Sequence, residues 1–172
     1  MPITPDTKDW TWVVDRRCPE CGFDAAELDA EDAPDLVRAN AATWLRVLQR
    51  PDVRQRPDEA TWSPLEYAAH VLDVHQVFGR RFDLMLAEDD PEFENWDQDR
   101  AAALGRYGER DPEQVGVDLA TGAEAVASTL GAVAGAQWKR QGRRSNGSVF
   151  TVASLTRYYV HDLQHHLWDV DA

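Results

Sequence analysis

Apolar residues recur at helical spacing in four parts of the chain. In the first of them, Leu36, Trp44, Leu45 and Leu48 follow a helical apolar spacing. No segment shows the strict alternation of apolar and polar residues that is typical of a half-buried strand. The four predicted helices cover approximately residues 33–49, 64–87, 111–133 and 151–170.

Two of these helices begin with recognisable capping signals. Ser63 precedes Pro64, and Glu66 follows three positions after the serine, which is a capping box with proline in the first turn. Asp111 and Gln114 have the same spacing at the start of the third helix. These signals predict that the two helices begin immediately after Ser63 and Asp111.

The second and third helices are separated by a long acidic connection, residues 88–110, with a short helix predicted near 97–104. Connections of this length usually have a function or some structure of their own, and this one is expected to form either one wall of a pocket or a lid over it. Four helices with one long connection predict an all-α fold, a four-helix bundle covering residues 31–172. Residues 1–30 are interpreted as an N-terminal strap packed on that bundle.

The charge of the chain excludes several classes of partner. A formal net charge of −13 argues against binding to nucleic acid or to anionic membrane surfaces. No apolar stretch has the roughly 20 residues that a membrane-spanning helix needs. The first residues lack the pattern of a signal peptide, so that a cytoplasmic location is expected. The expected partner is a small-molecule substrate.

Two cysteines, Cys18 and Cys21, form one C-x-x-C pair. A structural zinc site would require two further ligands, and no second pair of this kind exists in the sequence. We interpret the surrounding segment as part of the strap, whose aromatic residues cover the bundle. A role of the two thiols in redox chemistry or metal binding stays open.

Three histidines are the candidate metal ligands. His161 and His165 are four residues apart, which places them on the same face of the last predicted helix. His70, on the second predicted helix, is the candidate for a third ligand. Three imidazoles with open positions are typical of a catalytic site. Nickel, zinc, iron and cobalt all accept imidazole nitrogens, so the ligands alone do not choose the metal, and zinc or nickel is the divalent cation we expect. The alternative is that His70 is a buried, hydrogen-bonded histidine and that the pair is a coincidence.

Helix geometry separates the histidines of the last predicted helix. At about 100° per residue, His165 lies about 40° from His161 around the axis, whereas His166 lies about 140° from it. The sequence therefore predicts that His166 does not share the ion. Asp73 and Asp169, at helical spacing from the ligands, are expected to orient a ligand or to act as a catalytic base.

A basic loop, residues 139–144, lies before the last helix. Its arginines are interpreted mainly as solvated charges that compensate an acidic chain. As an alternative, Arg143 and Arg144 bind a carboxylate of an anionic substrate or cofactor.

Two motifs resemble those of the DinB/YfiT-like superfamily. The sequence Trp62-Ser-Pro-Leu-Glu-Tyr-Ala-Ala-His70-Val-Leu-Asp73 is similar to its second-helix motif. The sequence Val160-His161-Asp-Leu-Gln-His165-His166-Leu is similar to its last-helix motif. The resemblance covers roughly residues 30–170.

The resemblance implies an up-down-down-up four-helix bundle, a homodimer, and a divalent metal held by three histidines, here His70, His161 and His165. Relatives include mycothiol-dependent maleylpyruvate isomerase and S-transferases that use mycothiol or bacillithiol. The leading hypothesis is therefore an enzyme that transfers a low-molecular-weight, mycothiol-like thiol to an electrophile. The alternatives are a metal-dependent hydrolase that uses a metal-bound water, and a non-catalytic, stress-related binding protein.

Overall fold

The computed structural model describes residue 3 and residues 9–172, and it confirms the all-α four-helix bundle. The helices are α1 (Ala33–Val47), α2 (Pro64–Ala87), the short α3 (Gln98–Gly105), α4 (Pro112–Gly131) and α5 (Val152–Asp169). Single turns of 3-10 helix occur at Thr11–Val14, Ala25–Glu27, Ala30–Asp32, Tyr107–Glu109 and Gly135–Lys139. The strands are β1 (Glu92–Phe93), β2 (Gln141–Arg144) and β3 (Val149–Thr151).

The four long helices enclose one apolar core. α1 packs against α4 and α5, and α2 packs against the same two helices, so that α1 and α2 lie diagonally across the bundle. Each long helix contributes fully buried side chains to the core, among them Trp44, Phe82, Leu119 and Leu163. A Cβ at Gly122 would lie 3.3 Å from the Cβ of His75, so that this glycine allows α2 and α4 to approach closely.

A capping box fixes the start of α2. The Ser63 hydroxyl accepts a hydrogen bond from the backbone N–H of Glu66, and the Glu66 carboxylate accepts one from the N–H of Ser63. Burial raises the pKa of Glu66, but hydrogen bonds from Arg56 and Ser63 outweigh it and leave that pKa below its ordinary value. This cap places His70 in the second turn of α2. No side-chain hydrogen bond caps α4 at Asp111, unlike the sequence prediction.

The strap lies along α5. Its 3-10 turns at Thr11–Val14 and Ala25–Glu27 contact that helix, and Val13 and Cys18 are fully buried. Residues 1, 2 and 4–8 of the predicted strap lie outside the described part of the chain. α5 is therefore covered by the strap on one side and by α1 and α2 on others.

The long connection between α2 and α4 contains more structure than the sequence indicated. The short helix predicted near 97–104 is confirmed as α3. β1 pairs in parallel with β2, which in turn pairs antiparallel with β3. This small sheet, which apolar periodicity did not predict, fastens the connection to the segment before α5. In the described part of the chain, no helix is long and apolar enough to cross a membrane.

Candidate metal centres

α5 presents four residues of metal-ligand type within a turn and a half. His161 and His165 face the strap, whereas Asp162 and His166 face α2. Neighbouring residues on a helix point about 100° apart, so that two ligand pairs with the same i, i+4 spacing reach different surroundings. The helix thus takes part in two separate clusters of ligand atoms.

The first cluster, here called the His–Asp cluster, contains His70, Asp162 and His166. One ligand atom from each residue lies within 4.8 Å of the ligand atoms of the other two. The imidazole rings of His70 and His166 meet edge to face, with their centroids 4.7 Å apart. Nε2 of His166 lies 3.6 Å from Oδ1 of Asp162. Two nitrogens and one carboxylate oxygen therefore converge between α2 and α5.

His70 is the most deeply buried member of this cluster, with 1% of its surface exposed. Among the described residues, neither of its ring nitrogens has a hydrogen-bond partner. Trp96 stacks on the ring at a centroid distance of 5.3 Å, and Trp62 packs beside it at 5.2 Å. Burial holds the pKa of His70 well below its ordinary value, so that the imidazole is neutral and its nitrogen lone pair is available to a cation.

The other two members have carboxylate neighbours. Oδ2 of Asp169 lies 2.8 Å from Nδ1 of His166, and a carboxylate at that distance accepts the N–H. Nδ1 of His166 therefore carries the proton, and Nε2, which faces Asp162, is the nitrogen that a cation would use. Burial raises the pKa of Asp162 above its ordinary value. A bound cation would lower this pKa, because a positive charge favours the ionised carboxylate.

The second cluster, here called the Cys–His cluster, contains Cys18, Cys21, His161 and His165. One ligand atom from each of the four residues lies within 4.8 Å of the others. Burial raises the pKa of the Cys21 thiol to about 11 and lowers that of His161 to about 4. Burial also lowers the pKa of His165. Without a cation, Cys21, His161 and His165 are therefore neutral near pH 7.

The predicted triad of His70, His161 and His165 is divided between the two clusters. It is not among the groups of ligand atoms that lie within 4.8 Å of one another in the described chain. His70 meets His166, the residue that the rotation argument had set aside, together with Asp162. The rotation argument correctly separated His166 from His161, but spacing alone cannot tell which of two i, i+4 pairs faces α2.

The sequence contains signals for the His–Asp cluster and the Cys–His cluster, neither of which was predicted. Asp162 and His166 have the same four-residue spacing as His161 and His165. The C-x-x-C pair lacks two further ligand residues in its own segment, and folding brings His161 and His165 beside it from more than a hundred residues away. In zinc-finger sequences C-x₂-C and H-x₃-H lie only about 12–15 residues apart, and the much larger separation in this chain hides the same pair of motifs.

The structure separates the two predicted acidic residues. Asp169 lies between the clusters, because its Oδ2 contacts His166 and its Oδ1 lies 3.8 Å from Nε2 of His165. Asp73 belongs to neither cluster. Its carboxylate accepts a hydrogen bond from the Tyr107 hydroxyl and lies 3.7 Å from a guanidinium nitrogen of Arg110.

The two predicted arginines point away from each other, as neighbours on a strand do. Arg143 pairs with the Asp90 carboxylate, outside the clusters. The Arg144 guanidinium lies over the Phe150 and Tyr158 rings, at 5.5 Å and 5.9 Å from their centroids, and it lines the cleft described next. Of these two arginines, Arg144 is therefore the one placed to bind a substrate group beside the clusters.

A cleft of about 770 Å³ opens onto α5 beside both clusters. The connection between α2 and α4 forms one wall of this cleft, as the sequence predicted, and the strap forms another. The aromatic and charged residues that line it include Asp9, Trp10, Glu20, Trp62, Tyr67, Trp96, Asp97, Asp99, Arg144, Tyr158, Asp162, His166 and Asp169. The cleft thus combines aromatic surface with an excess of carboxylates.

Replacing Asp169 by asparagine is expected to weaken cation binding at the His–Asp cluster by about 10–100-fold, because His166 loses the carboxylate that fixes its tautomer. Competition with a chromophoric chelator measures this affinity. Asp171→Asn is the matched control, since Asp171 is exposed and has a positive φ that asparagine also adopts readily. Equal affinities of the Asp169 and Asp171 variants would contradict the assignment.

The chain resembles known proteins in its sequence and in its fold. The family model described as the DinB superfamily matches residues 33–170, which confirms the resemblance seen in the sequence. Among solved structures, YfiT from Bacillus subtilis superposes with a TM-score of 0.69 at 17% identity, over 98% of this chain and 90% of that one. YfiT is described as a probable metal-dependent hydrolase with an unusual four-helix bundle topology. Curated proteins give no significant sequence match.

Proposed function

We propose that this chain, which belongs to the DinB superfamily, is a divalent-metal-dependent hydrolase whose cation is held by His70, Asp162 and His166. The observation that carries the proposal is the fully buried imidazole of His70, whose ring nitrogens have no hydrogen-bond partner in the described chain. A buried polar group without a partner costs roughly 1–3 kcal/mol, and coordination of a cation would remove that cost.

The donor set fits a catalytic cation. Two imidazole nitrogens and one carboxylate oxygen are the ligands of several hydrolytic zinc sites, and three protein ligands leave a position open. These donors also accept nickel, and zinc or nickel is the favoured ion. A bound cation of this kind supplies Lewis-acid activation of a water molecule or a thiol.

The surrounding residues have distinct roles in this proposal. Asp169 accepts the Nδ1 proton of His166 and so keeps Nε2 available as a ligand. Trp62 and Trp96 exclude water from the His70 ring. Asp162 and His166 line the cleft, so that a substrate reaches the cluster from that side. The aromatic walls of the cleft would bind the apolar part of the substrate.

The charge of the cleft favours hydrolysis over thiol transfer. Its carboxylates repel an anionic thiol cofactor, and the YfiT relative is described as a probable metal-dependent hydrolase. Transfer of a mycothiol-like thiol is nevertheless the second candidate, because Arg144 lies in the cleft and can bind a carboxylate. The cytoplasmic location and the homodimer stay predictions of the sequence.

The test uses the full chain, purified without a chelating tag, stripped of metal and reloaded with zinc or nickel. A panel of esters and amides is supplied with and without mycothiol, bacillithiol and glutathione. We expect metal-dependent turnover without thiol, and a loss of more than about 100-fold in kcat/KM in Asp162→Asn, since losing a ligand costs more than losing its outer partner.

Asp83→Asn is the matched control, because Asp83 is exposed on α2 and belongs to neither cluster. Turnover that requires a thiol would support the second candidate and overturn hydrolysis. Turnover that is equal in metal-free and reloaded protein would overturn both.

A further inference from the structure

We propose that Cys18, Cys21, His161 and His165 form a closed structural zinc site that ties the strap to α5. Their ligand atoms converge within 4.8 Å of one another, and three of the four side chains are buried. This site is separate from the His–Asp cluster and shares no ligand with it.

A tight turn presents the two thiols together. The N–H of Gly22 donates to the carbonyl oxygen of Cys18 at 3.0 Å, and the N–H of Cys18 donates to the carbonyl oxygen of Phe23 at 2.9 Å. Gly22 has a φ of +75°, a conformation that glycine adopts without strain. The Arg17 guanidinium also donates to the Gly22 carbonyl oxygen. The turn is therefore closed on both sides of the C-x-x-C pair.

α5 supplies the two imidazoles from successive turns. The Cys18 sulfur lies 3.8 Å from Nδ1 of His165, and the Cys21 sulfur lies 3.7 Å from Nε2 of His161. Tetrahedral zinc, with bonds of about 2.3 Å to sulfur and about 2.0–2.1 Å to nitrogen, separates these atoms by roughly 3.6 Å. The observed separations are those of two edges of a zinc tetrahedron.

The donor chemistry selects zinc and a structural role. Two thiolates and two neutral imidazoles form a soft donor set that magnesium and calcium do not favour. With Zn²⁺ the net charge of the group is zero, which suits a buried position. Four protein ligands leave no open coordination position, and the ring of Trp10 covers His161 and His165 at 5.8 Å and 5.0 Å. Such closed sites stabilise folds rather than bind substrates.

Acidic groups surround the imidazole of His165 on its other side. Nε2 of His165 lies 3.6 Å from Oε2 of Glu20 and 3.8 Å from Oδ1 of Asp169. A carboxylate beside the second ring nitrogen is a typical outer partner of a zinc-bound histidine, since it fixes the tautomer. His165 would therefore coordinate through Nδ1, the nitrogen that faces Cys18.

The zinc site would also shape the cleft. Trp10 and Glu20 of the strap line it, and His161 and His165 directly precede Asp162 and His166 in sequence. A zinc ion that joins one face of α5 to the strap would consequently hold the helix in the rotation that presents Asp162 and His166 to His70. The zinc site is thus a structural support for the cleft.

Cobalt substitution tests the proposal on the full chain. Cobalt(II) bound at the Cys–His cluster is expected to give the intense thiolate-to-cobalt charge-transfer band and the visible bands of tetrahedral coordination. Cys21→Ser and His161→Ala should each lose the charge-transfer band or shift it strongly. His166→Ala, altered at the neighbouring position, should keep it. A band that disappears in His166→Ala but persists in His161→Ala would overturn the proposal.

Alkylation of the wild-type chain provides a measurement that no folding defect of a variant can obscure. With one equivalent of zinc at the site, both thiols should resist iodoacetamide, and after chelation both should become labelled, as followed by mass spectrometry. Equal labelling of the zinc-loaded and chelated protein would overturn the proposal. A Cys18–Cys21 disulfide in protein that keeps all its zinc would do so as well.

Discussion

Replacing His70 by alanine is expected to weaken cation binding at the His–Asp cluster by more than about 100-fold, since loss of an outer partner alone costs about 10–100-fold. The donor set falls from three to two, and the remaining ligands, Asp162 and His166, are an i, i+4 pair on one helix. The lost imidazole is the donor that joins α2 to α5. Competition against a chromophoric chelator at constant pH gives the affinity directly.

His75→Ala is the matched control for this experiment. His75 lies on the same helix as His70, is equally buried at 1% exposed, and belongs to neither cluster. Its variant should bind the cation as tightly as the wild type, provided that circular dichroism shows an intact fold. An affinity of His70→Ala that matches that of His75→Ala would remove His70 from the site and with it the proposed function.

His75 itself is expected to make the folded state sensitive to acid. Burial lowers its pKa to about 3, whereas the unfolded chain takes up this proton near pH 6.5. The stability contributed by neutral His75 is therefore complete above pH 6.5 and is lost as the pH falls from 6.5 towards 3. The free energy of unfolding should lose about 1.4 kcal/mol per pH unit through this residue.

Urea unfolding of metal-free protein between pH 7 and pH 5 measures this slope. His75→Gln should be less stable at pH 7 but should have a slope shallower by about 1.4 kcal/mol per pH unit at the acid end. Tyr159→Phe is the control, because the Tyr159 hydroxyl lies 2.6 Å from Nδ1 of His75 and does not titrate in this range. That variant should lose stability and keep the slope. An unchanged slope in His75→Gln would contradict the assignment.

The long helices could be predicted because their signals are local. Apolar periodicity and the Ser63–Glu66 box place α2 where the structure has it, and the same signals identify the bundle. The small sheet could not be predicted in this way. β1 has two residues, and it exists because Gln141–Arg144 pairs with it from a distant part of the chain.

The histidines and cysteines could be recognised as candidate ligands by residue type, but their grouping could not be derived and Asp162 was missed. His161 and Asp162 begin two ligand pairs of identical spacing, and the choice of the pair that faces His70 depends on how α5 is rotated against α2. That rotation follows from packing over the whole bundle, including burial of Leu163 and Tyr159. The position of the strap is equally non-local, because Cys21 meets His161 only after folding.

The central claim is that α5 serves two metal sites, and native mass spectrometry of zinc-loaded protein after desalting tests it most directly. We expect two ions per chain in the wild type, one in His70→Ala and one in Cys21→Ser. The site that stays occupied should differ between the two variants, so that the double variant His70→Ala/Cys21→Ser should bind no ion. One ion per wild-type chain, lost alike in His70→Ala and His161→Ala, would contradict the claim and restore a single site of three histidines.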